Sequence, residues 1–209
     1  MNILAIECSV SHASLCLVGE CFFTADWEAE RNHDAHLFPA LRDSLSVLGE
    51  DRPLDVILVG AGPGSYGGVR VALAAATGIA MVRHSRVVAL DSWEALAEGR
   101  VSILSDAKRG GWALRRPDGH IDVLDTNSVI QILSRGDEIH SVESAERLAR
   151  DGISLPRCGL IPTAQSLVDT WLSLSEKEQE KRAARPAEPI YVRPPHITTP
   201  KRKPWEISS

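Results

Sequence analysis

Apolar positions along the chain fall into short runs of strand character and longer stretches of helical spacing, and the two alternate. Residues 2–8 are almost continuously apolar and predict a central strand. A second run at 13–18 follows a short turn, and Gly19-Glu20 leads into a third at 21–27, so an antiparallel meander is expected. Between residues 34 and 48, Phe38, Leu41, Leu45 and Leu48 recur at i, i+3, i+7 and i+10, the stripe of an amphipathic helix that ends at Gly49. Pro39 fits such a helix only near its first turn, where an amide needs no intrahelical partner. A strand at 56–59, a helix at 70–83 and a strand at 87–90 come next. Asp91-Ser92-Trp93-Glu94 then has the form of a capping box opening a short helix to Glu98.

The predicted order of this half is βββαβαβα, and the second half repeats it with shorter, more polar elements. Runs at 101–105, 111–115 and 121–124 read as strands, the last two joined through Pro117-Asp118-Gly119. Helices at 127–134, 143–150 and 163–174, a strand near 138–141 and an apolar segment at 158–161 complete the series. The order of elements is what repeats, since the residues themselves do not. From Lys177 the composition turns charged and proline-rich, with six prolines after Arg185. That tail is expected to be extended and to touch the body only around Ile190-Tyr191-Val192. The reading is thus an α/β protein with an N-terminal lobe at 1–100, a smaller degenerate C-terminal lobe at 101–184 and a proline-rich, basic tail at 185–209.

Composition narrows the function. With 209 residues, 44% apolar and 24% charged, the chain has ample core for two lobes. A net charge of −5 gives no bulk attraction to nucleic acid or to an anionic membrane. The longest apolar stretch, 71–82, is too short to span a bilayer and is interrupted by Thr77 and Gly78. Residues 2–6 open directly as a strand, with no basic leader before them. Cys8, Cys16, Cys21 and Cys158 form no C-x-x-C pair and no zinc spacing. A cytoplasmic protein with small buried thiols is expected.

The most informative local feature is Gly62-Pro63-Gly64-Ser65-Tyr66-Gly67-Gly68, set between an apolar strand and an alanine-rich helix beginning at Arg70. Strand, tight turn and helix N-terminus together are the elements of an anion site. Gly62 to Gly67 is a literal G-x-G-x-x-G with Asp91 after the next strand, the pattern of a dinucleotide fingerprint. Against that, Gly60-Ala61 intervenes between strand and first glycine, and the antiparallel strands before it do not belong to a doubly wound parallel sheet. A P-loop is excluded because no lysine follows Gly67. What remains is a degenerate phosphate loop (Gly62, Gly64, Ser65, Gly67, Gly68, Arg70) or a purely structural turn.

Other candidates are weaker. Glu7 and Asp106 each close the first strand of a half, where an actin-like fold carries the acids of its magnesium nucleotide cleft. Neither has the adjacent glycine that brings backbone amides to phosphate, so both read as vestigial and no cofactor is expected. His33 and His36 lack a third ligand, which favours a solvated helix turn over a metal site. Ser65 is not in a G-x-S-x-G elbow. Lys201-Arg202-Lys203 reads as a solvated end with a minor alternative of RNA phosphate contact. In helix 70–83 apolar residues cover almost the whole circumference, so both sides should be covered. Ala72, Ala76 and Ala80 form a small-residue ridge suited to close helix packing, and the favoured reading turns it toward a partner subunit.

These residues resemble the TsaB (YeaZ) family of bacterial tRNA-modification proteins. The likeness lies in Ile3-Leu4-Ala5-Ile6-Glu7-Cys8-Ser9, residues 33–48, Val59 to Arg70, Ala89-Leu90-Asp91-Ser92-Trp93-Glu94-Ala95-Leu96-Ala97, Asp106-Ala107-Lys108-Arg109-Gly110 and Glu188-Pro189-Ile190-Tyr191-Val192-Arg193. It is specific over the first 100 residues and patchy beyond. The resemblance implies an actin-like, two-lobed ASKHA fold and a non-catalytic subunit. Such a subunit binds TsaD, which transfers threonylcarbamoyl to the adenosine beside the anticodon of tRNA, with TsaE as a further partner and TsaC making the donor. It implies contact with tRNA only through that complex, and a homodimer when TsaD is absent. The partner face implied lies on the helices at 34–48 and 70–83, and Phe38, Leu41, Leu45, Ala72, Ala76, Ile79 and Ala80 are its expected residues. The chain departs from the family where Asp-Thr-Ser becomes Glu7-Cys8-Ser9, and where Phe-Thr-Gly-Leu-Arg becomes Tyr66-Gly67-Gly68-Val69-Arg70, losing a hydroxyl that could cap the helix. An enzyme of the same fold would carry paired histidine ligands and a second glycine-rich loop, and neither is readable.

Overall fold

The structure, a computed structural model, describes residues 1–28, 33–97, 101–107 and 110–193. Lys201-Arg202-Lys203, Lys108-Arg109, Glu98 and the side chain of His33 lie outside the described residues. Three strands open the chain, β1 (Ile3–Glu7), β2 (His12–Val18) and β3 (Phe23–Glu28). Helix α1 (His33–Leu48), β4 (Val56–Gly60), α2 (Tyr66–Arg83) and β5 (Arg86–Leu90) follow. The five strands form one sheet in the order β3-β2-β1-β4-β5. β1 is antiparallel to β2 and parallel to β4, with Ile3 opposite both Val18 and Val56. Central strands β1 and β4 are buried at every position, as their unbroken apolar runs require.

Strand periodicity divides the first sheet's core in two. Leu4, Ile6, Ile57 and Val59 point to one face, where α1 and α2 cover them with Leu37, Leu41, Val69, Ala72 and Ala76. Ile3, Ala5, Val56 and Leu58 point to the other, covered by α5 (Ala164–Ser173) through Leu167, Val168 and Trp171. Although α5 lies in the stretch that sequence order groups with the second lobe, it packs on the first sheet.

The second sheet consists of β6 (Ser102–Asp106), β7 (Trp112–Arg115), β8 (Ile121–Leu124) and β9 (Ile139–Ser141), in the order β8-β7-β6-β9. This is the first sheet's order without a fifth strand, because the apolar segment at 158–161 forms none. Helices α3 (Thr126–Ser134) and α4 (Ala145–Ala149) cover one face around Leu104, Trp112 and Leu114. The other face, with Ile103 and Ala113, packs against Trp93, Ala97 and Val101, which join the two sheets.

Four local expectations change. Pro39 stands in the second turn of α1 rather than the first, removing the bond its nitrogen would make to residue 35. Burial of Leu37, Leu41 and Leu48, each worth about 1.5–3 kcal/mol, offsets a proline cost of about 3 kcal/mol. α2 begins at Tyr66, four residues before the expected start, with Ser65 as its N-cap. The predicted helix at 91–98 is a 3₁₀ turn at Glu94–Leu96. Asp91 Oδ1 accepts from the amides of Trp93 and Glu94, but the Glu94 carboxylate turns to Arg182, so no reciprocal capping box forms. A sixth helix, α6 (Glu176–Ala183), occupies the start of the expected tail. It has no apolar stripe. Ser175 caps it, Arg182 binds Glu94 through two bonds of 2.8 and 2.7 Å, and Gln179 donates to the Trp171 carbonyl.

Candidate functional site

The loop from Gly60 to Ser65 sits at the C-terminal end of β4, pressed between the β1–β2 turn and the end of β5. Ala61 N–H donates to the Leu90 carbonyl at 2.8 Å, and Ser65 N–H donates to the Ser9 carbonyl at 2.6 Å. Gly62 N–H donates to Ser92 Oγ at 3.2 Å while its carbonyl accepts from Ser92 N–H at 2.9 Å. Ser65 Oγ in turn accepts from Gly68 N–H at 3.2 Å, capping α2. The amides of Ala61, Gly62, Ser65 and Gly68 are therefore taken up by the chain itself, and Gly67, Gly68 and Arg70 are helix residues. Gly64 is required by close approach, because a Cβ there would lie 2.0 Å from the Ser9 carbonyl oxygen. Close packing on the β1–β2 turn is thus a structural reason for glycine at position 64.

The two acids do not meet. Glu7 is fully buried beneath the loop, with Oε1 accepting from Ser9 N–H at 2.7 Å and Oε2 without a hydrogen-bond partner among the described residues. Burial pushes its carboxyl above the ordinary carboxylate range, against the lowering effect of Ser9 and Ser92 and with a smaller push from Asp91. Asp106 lines a cleft of about 590 Å³ between the sheets, together with Ser9, Ser65, Tyr66 and Glu143. It is paired with Arg147 at 3.3 Å, and that guanidinium also lies 4.7 Å over the Trp112 ring. Glu143, which sequence reasoning passed over, accepts from Ser105 Oγ and the Asp106 amide at 2.9 Å, fixing the end of β6. The expectation that Glu7 and Asp106 face one cleft is corrected: the longer glutamate side chain turns inward against Gly60, and only Asp106 reaches the opening.

Asp91 has a structural partner too. Its Oδ2 accepts from Arg115 Nε in a nearly buried pair that joins β5 to β7. The ribose role suggested by the fingerprint pattern is thus replaced by a bond between the lobes. His36 is exposed on α1, and the described residues hold no cluster of three or more potential metal ligands.

The helices present a different face from the one expected. Ala72 and Ala76 are fully buried against the first sheet, and Leu41 lies in the same core. These three are corrected from partner-facing to inward-facing. The small-residue ridge packs against the chain's own sheet because α2 must bring its backbone close to β4. Leu45, Ile79 and Ala80 are partly buried at the edge of that core, and Phe38 is 54% exposed. The outward side of α2 carries Gly67, Val71, Ala74 and Gly78 at i, i+4, i+7 and i+11, followed by Met81 and Val82, both 76% exposed. Apart from the helix itself, none of the described residues lies within 4 Å of where a Cβ would stand at Gly67 or Gly78. This is an open apolar seam with heptad-like spacing.

A family model described as TsaD, tRNA N6-adenosine threonylcarbamoyltransferase, matches residues 27–145, more than half of the chain. The chain belongs to this family. Curated relatives place it among the TsaB (YeaZ) members. The tRNA threonylcarbamoyladenosine biosynthesis protein TsaB of Bacillus subtilis (strain 168) is 32% identical over 119 residues, 53% of this chain and 52% of the relative. The protein of the same name from Escherichia coli (strain K12) is 28% identical over 120 residues, again 53% and 52%. The matched stretch thus spans about half the length of these curated relatives. YeaZ from Pseudomonas aeruginosa superposes with a TM-score of 0.70 at 20% identity, covering 91% of this chain and 100% of that one. A second Pseudomonas aeruginosa structure, described as similar to peptidase YeaZ, gives 0.68 at 22% identity over 92% and 99%. Two sheets of matching strand order and these neighbours define the two-lobed ASKHA fold. No helix among the described residues is long and apolar enough to cross a membrane.

Proposed function

We propose that this protein is a non-catalytic, activating subunit of the tRNA threonylcarbamoyladenosine synthesis complex, docking on TsaD through the outward face of α2 and the exposed part of α1. The observation that carries this reading is the seam Gly67, Val71, Ala74, Gly78 and Met81, which leaves a continuous apolar strip in water on a well-packed helix. Small residues along it let a partner helix approach closely, and Met81, Val82 and Phe38 add apolar area at its edges. The inherited cleft supports the same conclusion. The amides of Ala61, Gly62, Ser65 and Gly68 bond within the chain, and the Glu7 acid is sealed beneath the loop.

In this reading TsaE joins through the assembled complex, tRNA is reached only there, and a second copy of this chain covers the seam when TsaD is absent. The setting is the cytoplasm. Size-exclusion chromatography of the protein alone, of TsaD alone and of their mixture tests it directly. A stable mixed complex, with tRNA modification requiring both proteins, is expected. Separate elution of the two, or nucleotide turnover by this protein alone, would refute it.

A further inference from the structure

The last described residues do not trail away from the body. Ile190 N–H donates to the Ala61 carbonyl at 2.8 Å, adding one backbone bond just beyond β4. The adjoining Gly62 has φ +89°, and a Cβ there would stand 3.1 Å from the Ile190 carbonyl oxygen. Tyr191 stacks on Tyr66 with ring centroids 5.3 Å apart and planes 27° from parallel. The chain then crosses to the second lobe. Val192 packs into the cluster that holds Trp93, Ile103 and Ala113. Arg193 lies over Gly111, where a Cβ would meet its guanidinium at 2.5 Å.

We propose that residues 188–193 are an interlobe clasp, a segment bound in the manner of an extended peptide across both lobes and forming one wall of the cleft between them. The seat has the elements of a peptide site: a main-chain acceptor at Ala61, an aromatic platform at Tyr66, an apolar pocket around Trp93 and a glycine that admits an arginine. Two glycines on different lobes, Gly62 and Gly111, border the segment, so the receiving surface is shaped to it on both sides. The ligand class this seat takes is an extended aliphatic–aromatic–aliphatic–arginine peptide. Seated, the clasp adds a third tie between the lobes, beside the Asp91–Arg115 pair and the Trp93 cluster. This inference is independent of what docks on α2.

Chymotrypsin cutting at the Tyr191–Val192 bond of the full chain, followed by mass spectrometry, reads how often the clasp is off. The bond is expected to be cut at least tenfold more slowly than in a free peptide of residues 186–194. Tyr66→Ala leaves the cut bond unaltered and removes the platform, so cutting should rise about threefold or more while circular dichroism stays unchanged. In the unmodified chain the Ile190 amide should exchange its proton far more slowly than in the free peptide. After cutting, the melting temperature should fall by a few degrees as the tie between lobes is lost. Cutting or exchange at the free-peptide rate, a folded Tyr66→Ala protein cut at the wild-type rate, or an unchanged melt after cutting would each overturn the clasp.

Discussion

Gly60 and Glu7 are in such close contact that a Cβ at position 60 would lie 1.9 Å from Glu7 Oε2. Glycine at the end of β4 therefore makes room for a glutamate carboxyl that has turned into the protein. Gly60→Ala forces either the buried acid or the strand to shift, and overpacking of this kind costs about 1–3 kcal/mol or more. Glu7→Asp withdraws the carboxyl from the clash, so the double variant should recover part of that loss. Urea denaturation of the two single variants and the double one measures the coupling, and strict additivity would show that the two residues do not compete for the same space.

The same burial gives Glu7 a signature in pH. Its folded-state value is raised above the ordinary 4.5 by desolvation first. From about that pH upward the unfolded chain loses the proton while the folded chain keeps it, so the unfolded state binds fewer protons and stability falls as pH rises. The fall is complete once the folded-state value is passed. Glu7→Gln carries no titrating group and should remove this component of the slope. Urea melts from pH 4 to 8 on both proteins check it, and parallel curves would contradict the assignment.

Asp91 and Arg115 make a nearly buried ion pair across the lobes. Removing one partner of such a pair leaves an uncompensated charge, at a cost of about 3–5 kcal/mol. Asp91→Ala also releases the amides of Trp93 and Glu94. It should therefore destabilise more than Arg115→Met, which leaves the Asp91 carboxylate without its guanidinium but still held by those two amides. Thermal melts of the two variants decide the order.

Much of the first lobe was legible because its burial is written in local periods. The runs at β1 and β4, the α1 stripe and the strand-turn-helix around Gly62 all follow from neighbours within one element. What was not legible depends on distant partners. α6 has no apolar stripe, and it is docked by Arg182 on Glu94, 88 residues away. The start of α2 was hidden by Gly67 and Gly68, poor helix formers that serve here because Ser65 caps them. That the amides of Ala61, Gly62 and Ser65 are taken up depends on Leu90, Ser92 and Ser9, which nothing in the motif announces. Most instructive is α2, whose sequence is apolar all round. Composition predicts cover on two sides without saying which residues face which, and only the position of the sheet decides that Ala72 and Ala76 face inward while Ala74 and Met81 are exposed.

Pro39 offers a test of how far packing overrides propensity. Its side chain is exposed on α1, so replacement disturbs little of the core. Pro39→Ala restores an intrahelical bond and is worth about 3 kcal/mol in helix propensity, less about 1 kcal/mol for the looser unfolded chain. A net gain of about 2 kcal/mol in chemical denaturation is expected. A loss would mean that α1 depends on the proline's geometry.

The placement of the docking face is tested by two arginines on opposite sides of one helix. Ala74 is exposed at the centre of the outward seam, and Ala76 is fully buried against the first sheet. In Ala74→Arg the new side chain extends into water in the free subunit, so folding should change by no more than about 0.5 kcal/mol. In the complex it would have to be buried unpaired or hold the partner helix away, weakening TsaD binding about a hundredfold or more. Ala76→Arg inverts this outcome. Its charge has no route to solvent, so the protein should be insoluble or melt far below wild type whether or not TsaD is present. Val71→Glu, at the edge of the seam, should resemble Ala74→Arg in binding with a modest loss of stability, since Val71 packs partly against the core. Calorimetric melts of the isolated variants, with TsaD titrations on those that fold, separate the two faces. Folded Ala74→Arg protein that binds TsaD at wild-type strength would move the interface off α2.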